Sequence, residues 1–158
     1  SIGKQLEMRA GSTLEKARFF LEEAERRSRR KRPDLYEISF YLEAAMIFAG
    51  SALDQLDREY GDYKRYSGGR NAQDARVQVF RVWHADLMSS SSCQFMKRNR
   101  DRILHDMPEP RLTELVVTYG ESAASLVPNP DEVRKRFDQF EALLGQPPHG
   151  FEDVWREE

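Results

Sequence analysis

Residues 95–107, Phe-Met-Lys-Arg-Asn-Arg-Asp-Arg-Ile-Leu-His-Asp-Met, set four cations ahead of a single histidine: Lys97, Arg98, Arg100 and Arg102, then His105. Neighbouring like charges on a helix repel, at a cost of ~0.2–0.5 kcal/mol per pair. An anion relieves that repulsion, either a phosphate or the carboxylates of a partner. Arginine's planar fork suits a phosphate better than lysine's point charge, and it stabilises charge that builds on the phosphate oxygens. An imidazole beside it can take or deliver a proton near neutral pH.

Two arginines compete for that pairing. At about 100° per residue, Arg98 and His105 fall within ~20° of one another on a straight helix, whereas Arg100 and His105 are ~140° apart. Arg102 lies near His105, about one turn away. Within one chain Arg98 is better aimed. The plainer reading of His105 is a helix-end residue that caps carbonyls.

Helices must position these residues. Ser12 with Glu15 has the spacing of a capping box, and Leu14, Ala17, Phe20, Leu21 and Ala24 give the following segment an apolar face. It ends in a basic run, Arg26, Arg27, Arg29, Arg30, Lys31 and Arg32. That run is either a solvated helix end favoured by the macrodipole or an electrostatic guide for RNA. Asp34 is the expected N-cap of a long second helix to about Tyr60, with Ala44, Ala45, Ala49, Gly50, Ser51 and Ala52 allowing another helix close. A loop is expected over 61–69, where Tyr63 and Tyr66 flank Lys64 and Arg65. A third helix is expected from Asn71 through Leu87, and Ser91 with Gln94 opens the fourth, which carries the motif and stops before Pro108. The period then changes, and Leu115, Val116, Val117, Tyr119, Leu126 and Val127 predict a short β-hairpin over about 112–127. Asn129 and Pro130 start a last helix to Leu144, with Gly145 as its terminator. The expected fold is all-α: a four-helix bundle with a hairpin and one additional C-terminal helix. Residues 1–12 form a flexible arm in this expectation, 13–145 the domain and 146–158 a tail in which Phe151, Val154 and Trp155 could dock.

The second helix, with Ala44-Ala45-Met46-Ile47-Phe48-Ala49-Gly50-Ser51-Ala52-Leu53-Asp54-Gln55-Leu56, and the fourth, with Arg100-Asp101-Arg102-Ile103-Leu104-His105-Asp106, together resemble the HEPN superfamily. Its signature is an arginine, usually followed by Asn, Asp or His, and a histidine after four to six intervening residues. Arg100-Asp101 with His105 and Arg98-Asn99 with His105 both fit. The resemblance covers roughly Leu14–Met107. It implies an up-down bundle, a homodimer with the active site between subunits, and a metal-independent endoribonuclease without cofactor. In that reaction a ribose 2′-hydroxyl attacks the adjacent phosphodiester, leaving a 2′,3′-cyclic phosphate and a 5′-hydroxyl. The implied catalytic residues are Arg100, His105 and Arg98, supported by Asp101 and Asn99. The implied partners are RNA and an antitoxin or defence-system protein. Ser51 and Asp54 would either support the motif or pair with a nearby arginine. One toxin–antitoxin branch carries a modified tyrosine two residues after the histidine; here that residue is Met107. A non-catalytic module binding a partner, RNA or a nucleotide-type ligand is the alternative, and a plain helical adaptor for an acidic protein is a third.

The chain has 158 residues, 33% of them charged and 39% hydrophobic, with a net charge of −2. Those values fit one soluble, charged, helical domain. Cys93 is the sole cysteine, so no disulfide forms within the chain and a reducing compartment is expected. No apolar run reaches membrane-span length, and no cationic-then-apolar leader opens the sequence. Cytoplasmic residence without a membrane partner is therefore the expectation. Neither His84 nor Cys93 has a second His or Cys at ligand spacing, so both read as structural and no metal site is expected.

Overall fold

The structure is a computed structural model that describes residues 1–6, 9–66, 70–106, 129–152 and 155, with their side chains except at 59–66, 70–77 and 106. Its helices are α1 (Ile2–Gln5), α2 (Arg9–Ser28), α3 (Leu35–Tyr66), α4 (Arg70–Ser89), α5 (Ser91–Asp101) and α6 (Pro130–Leu144). A π-helical turn, Arg102–Asp106, continues α5. Among the described residues the β pairing is a single antiparallel bridge, Leu6 to Trp155. The expected hairpin at 112–127 lies outside the described residues. No described helix is long and apolar enough to cross a membrane.

The bundle is organised by α2 and α3. Ala10, Leu14, Ala17, Leu21 and Ala24 recur at alternating steps of four and three and are all buried. They face Ile38, Leu42, Ala45, Met46, Ala49, Ala52, Leu53 and Leu56, also buried. The alanines on both faces let the two backbones approach. Thr13 meets Gln55 at 2.6 Å and Arg27 pairs with Glu37, so the helices run antiparallel. On another side of α2, α6 also runs antiparallel. Arg18 grips Glu141 with both oxygens at 3.0 Å, and Arg134 grips Glu25 through Nε at 3.1 Å to each oxygen. Val133, Phe137, Phe140 and Leu144 fill the space beneath.

Several expected boundaries move. Within the expected arm, the described residues of α1 and the start of α2 pack together, and Leu6 and Ala10 are buried. Glycine permits this, since a Cβ on Gly11 would sit 2.6 Å from the Leu6 carbonyl oxygen and one on Gly3 2.7 Å from that of Gly11. Ser12 is thus inside α2 rather than capping it, and Glu15 accepts from the Ser1 hydroxyl. The expected loop from 61 is helical to Tyr66 because α3 continues past Gly61. Ser90, not Ser91, caps α5, its Oγ accepting from the Cys93 amide at 3.3 Å. Asn129 and Pro130 do start the last helix, with the Asn129 side chain accepting from Asp131 N at 2.8 Å. The tail rejoins the core through Phe151 and Trp155, both buried.

Candidate functional site

The basic segment lies against the middle of α3. Met96 on α5 is fully buried, and its turn seats against Gly50. Arg100, one turn further, is brought back across α3. Its Nη1 donates to the Gly50 carbonyl at 3.2 Å and to Asp54 Oδ2, while Nε and Nη2 donate to Asp101 Oδ1 at 3.1 and 2.8 Å. Four of the guanidinium's five N–H donors are therefore committed. Asp54 also takes Lys97 Nζ at 3.3 Å. Burial would raise the Asp54 carboxyl, but the hydrogen bonds and charges of Arg100 and Lys97 outweigh it and hold the group below the usual aspartate value. Burial likewise disfavours the charged Arg100, and Asp54 and Asp101 more than offset it, so its guanidinium is held charged.

The remaining residues separate into two groups. Arg98 is exposed and donates to Gln94 Oε1 at 3.1 Å, one turn back on α5. Asn99 bonds inward: its amide donates to the Phe95 carbonyl at 2.8 Å and its oxygen accepts from Arg102 Nη2 at 3.0 Å. Arg102 Nε is buried and finds no acceptor among the described residues. A buried donor without a partner costs about 1–3 kcal/mol and marks a place where an acceptor would bind well. His105 is exposed, on the π-helical turn.

That turn alters the expected geometry. An i→i+5 turn is wider than an α turn, so each residue rotates by less than 100°. The underwinding turns His105 toward the face of Arg100 and away from that of Arg98, which narrows the preference read for a straight helix. Arg100 and Asp101 are thus brought together by direct bonds, and Arg102 and Asn99 by another. Arg98 stands apart from both pairs. The sequence predicts crowded cations that await an external anion, with Asp54 as a candidate partner for a nearby arginine, and Asp54 does pair with Arg100. Half of that charge is answered internally: four cations, Lys97, Arg98, Arg100 and Arg102, face two carboxylates, Asp54 and Asp101, leaving a net of +2. Lys97, absent from the expected site, shares the Asp54 carboxylate. The signal that could have found it is its place one helical turn before Asp101, beside Met96.

Other chemistry-bearing residues settle into structural places. His84 Nε2 lies 3.1 Å from the Leu53 carbonyl, and its ring stacks on Phe80 at 6.0 Å. Cys93 is buried, and burial pushes its thiol up. An open groove of about 700 Å³ lies between α4 and the residues after α6, lined by Val79, Val82, Trp83, Leu143 and Pro147, and it takes no residue from the motif. Among the described residues no group of three His, Cys, Asp or Glu side chains is placed to hold a metal ion. No family model, curated protein or solved structure matches the chain.

Proposed function

We propose that the chain is a metal-independent endoribonuclease of the HEPN type, acting as a toxin or anti-phage effector, with its reacting groups at the end of α5. One observation carries the reading: an exposed imidazole stands on a π-helical turn that rotates it toward an arginine fixed by two carboxylates. Such turns occur often at functional sites. In this reading His105 moves the proton of the attacking 2′-hydroxyl or of the leaving 5′-oxygen. Arg100 holds the scissile phosphate through its remaining Nη2 donor, or through the edge that exposed Asp101 vacates. Arg102 adds its positive charge beside the building oxyanion. Arg98 acts from the outer surface of α5, on the same substrate strand. Two copies meeting along α5 would pair these groups across the axis, and an antitoxin or defence partner would act by masking the surface, since Met107 offers no hydroxyl.

The test is incubation of the purified chain with total RNA, followed by end-group analysis. Cleavage should leave 2′,3′-cyclic phosphate and 5′-hydroxyl ends, persist in EDTA, and fall by at least about a hundredfold in His105→Ala, the usual worth of a general acid or base. Unchanged cleavage by that variant, with its circular dichroism intact, removes the catalytic reading. A second reading is a non-catalytic HEPN module that binds a protein, RNA or a nucleotide-type ligand. It is favoured by the commitment of four Arg100 donors within the chain, and salt-dependent RNA binding without any cleavage would select it.

A further inference from the structure

The corner between α2 and α3 concentrates positive charge. Residues 26–37 hold six cations against Asp34 and Glu37, a net of +4 within a chain of net −2. Helix capping needs about half a unit of charge. Arg26 is answered by Glu23, Arg27 by Glu23 and Glu37, and Arg30 more loosely by Glu37 at 3.8 Å. Arg29, Lys31 and Arg32 are exposed and have no ion-pair partner among the described residues.

A stack of rings runs from this corner along the seam of α2 and α3. The Arg27 guanidinium lies 4.6 Å over Tyr41. Tyr41 stacks on Phe20 at 6.1 Å, and Phe20 on Phe48 at 5.5 Å with the planes 7° apart. Lys16 Nζ closes the far end, 5.7 Å over Phe48. All three rings are half-exposed. Phe19 meets Phe20 edge-on at 5.4 Å and is 58% exposed, and Phe40 is 50% exposed. The stacked rings take up one another's faces and present edges, while Phe19 and Phe40 stand open beside cations that have no ion-pair partner among the described residues. A single nucleic-acid strand requires that combination, charge for the phosphates and open rings for unstacked bases. A duplex would use only the charge, because its bases are already stacked. An anionic membrane would use the charge and the exposed Phe19, Leu35 and Phe40 as well, but it has no use for rings stacked face to face beneath cations, and vesicle sedimentation separates the two.

We infer that the α2–α3 corner and its ring stack form a docking track for single-stranded RNA, made of residues that share nothing with the α5 motif. The choice of RNA over DNA rests on the ribonuclease reading; the track itself does not. The experiment uses the full chain carrying His105→Ala, so that probe is not consumed, and follows the anisotropy of a labelled single-stranded RNA of about twelve nucleotides over a salt series. The triple variant Arg29→Ala, Lys31→Ala, Arg32→Ala should weaken binding at least about tenfold. It should also lower the slope of log K against log salt by about 2, from about 0.7 for each lost phosphate contact on a single strand. Phe19→Ala should weaken binding by about fivefold or more with the slope unchanged. The same sequence as a duplex should bind more weakly, and single-stranded DNA no more tightly than RNA. Unchanged affinity in the triple variant, equal binding of the duplex, or triple-variant-sensitive sedimentation with phosphatidylserine vesicles but not RNA would each overturn the track. RNA cleavage by the wild-type chain that the triple variant leaves intact sinks the track and spares the α5 motif. Loss of binding in the triple variant, with no cleavage by the wild type, does the opposite.

Discussion

Asp54 is the side chain on which the geometry of the motif turns. It joins α3 to α5 through two cations of different character: Lys97 as a point charge and Arg100 as a fork whose other edge is taken by Asp101. Arg100 is buried enough that loss of its anchor leaves donors short of acceptors. Asp54→Ala should therefore cost ~1–3 kcal/mol in urea unfolding at neutral pH. The pH dependence has a definite sign. The Asp54 carboxyl is held below its ordinary value in the folded chain, so its contribution is complete above the unfolded-state value of 3.8 and is lost as pH falls through the folded one. The stability difference between wild type and Asp54→Asn should be constant through neutrality and shrink only in strong acid, below about pH 3.8. A difference that disappears already at pH 5–6 would mean that Arg100 and Lys97 do not depress this group.

At the scale of elements, the contact of α5 with α3 depends on one missing methyl group. A Cβ at Gly50 would stand 3.1 Å from both Cβ and Cδ of Arg100 and 3.4 Å from the Met96 carbonyl. Gly50→Ala gains ~1 kcal/mol of helix propensity but crowds a packed seam, which costs ~1–3 kcal/mol. The expected net effect is a loss of up to ~2 kcal/mol in denaturant midpoint analysis, together with weaker RNA cleavage. A gain of ~1 kcal/mol would place α5 away from Gly50. The same seam shows what the sequence could disclose. Asn129 and Pro130 were legible because a cap is a local device, complete within three residues. The serines at 89–92 were not, because each can cap and only packing chooses Ser90. Gly61 looked like a helix end, yet α3 carries through it to Tyr66. Residues 1–12 hold too few apolar side chains to announce a helix, and the packing of α1 on the start of α2 comes from backbone approach at Gly3 and Gly11. The motif residues were readable from their types, and Asp54 as a candidate partner for an arginine, but which arginine it takes is set only by packing across 46 positions, and a π-helical turn has no compositional signature.

For the whole molecule, the termini of the described chain close the bundle at a place remote in sequence from α5. Trp155 pairs with Leu6 and stands edge-on to Trp83 at 5.4 Å, its indole N–H donating to the Leu144 carbonyl at 2.7 Å. Trp83 in turn donates to the Gln146 carbonyl at 2.7 Å. Phe151 lies 5.8 Å from Phe80, and both rings are fully buried. These contacts hold α4, which among the described residues also meets the bundle through His84 to Leu53, through buried Leu87 and at its junction with α5. An aromatic side chain removed from such a place leaves a cavity as well as losing its transfer free energy, so Phe151→Ala should cost ~3–5 kcal/mol. Because a chain of this size has ~5–15 kcal/mol of stability in all, the loss should be visible as a large drop in thermal midpoint. Amide exchange should quicken in α4 before it quickens in α2 or α3, whose shared apolar face needs nothing from the tail. RNA cleavage, measured where the variant is still folded, should stay near the wild-type rate, since neither Arg100 nor His105 bonds to this region. A cost below ~1 kcal/mol would show that α4 is held by something other than the tail. Uniform loss of protection across all helices would show instead that the bundle has no separable parts, and that α5 cannot move on α3 without unfolding the rest.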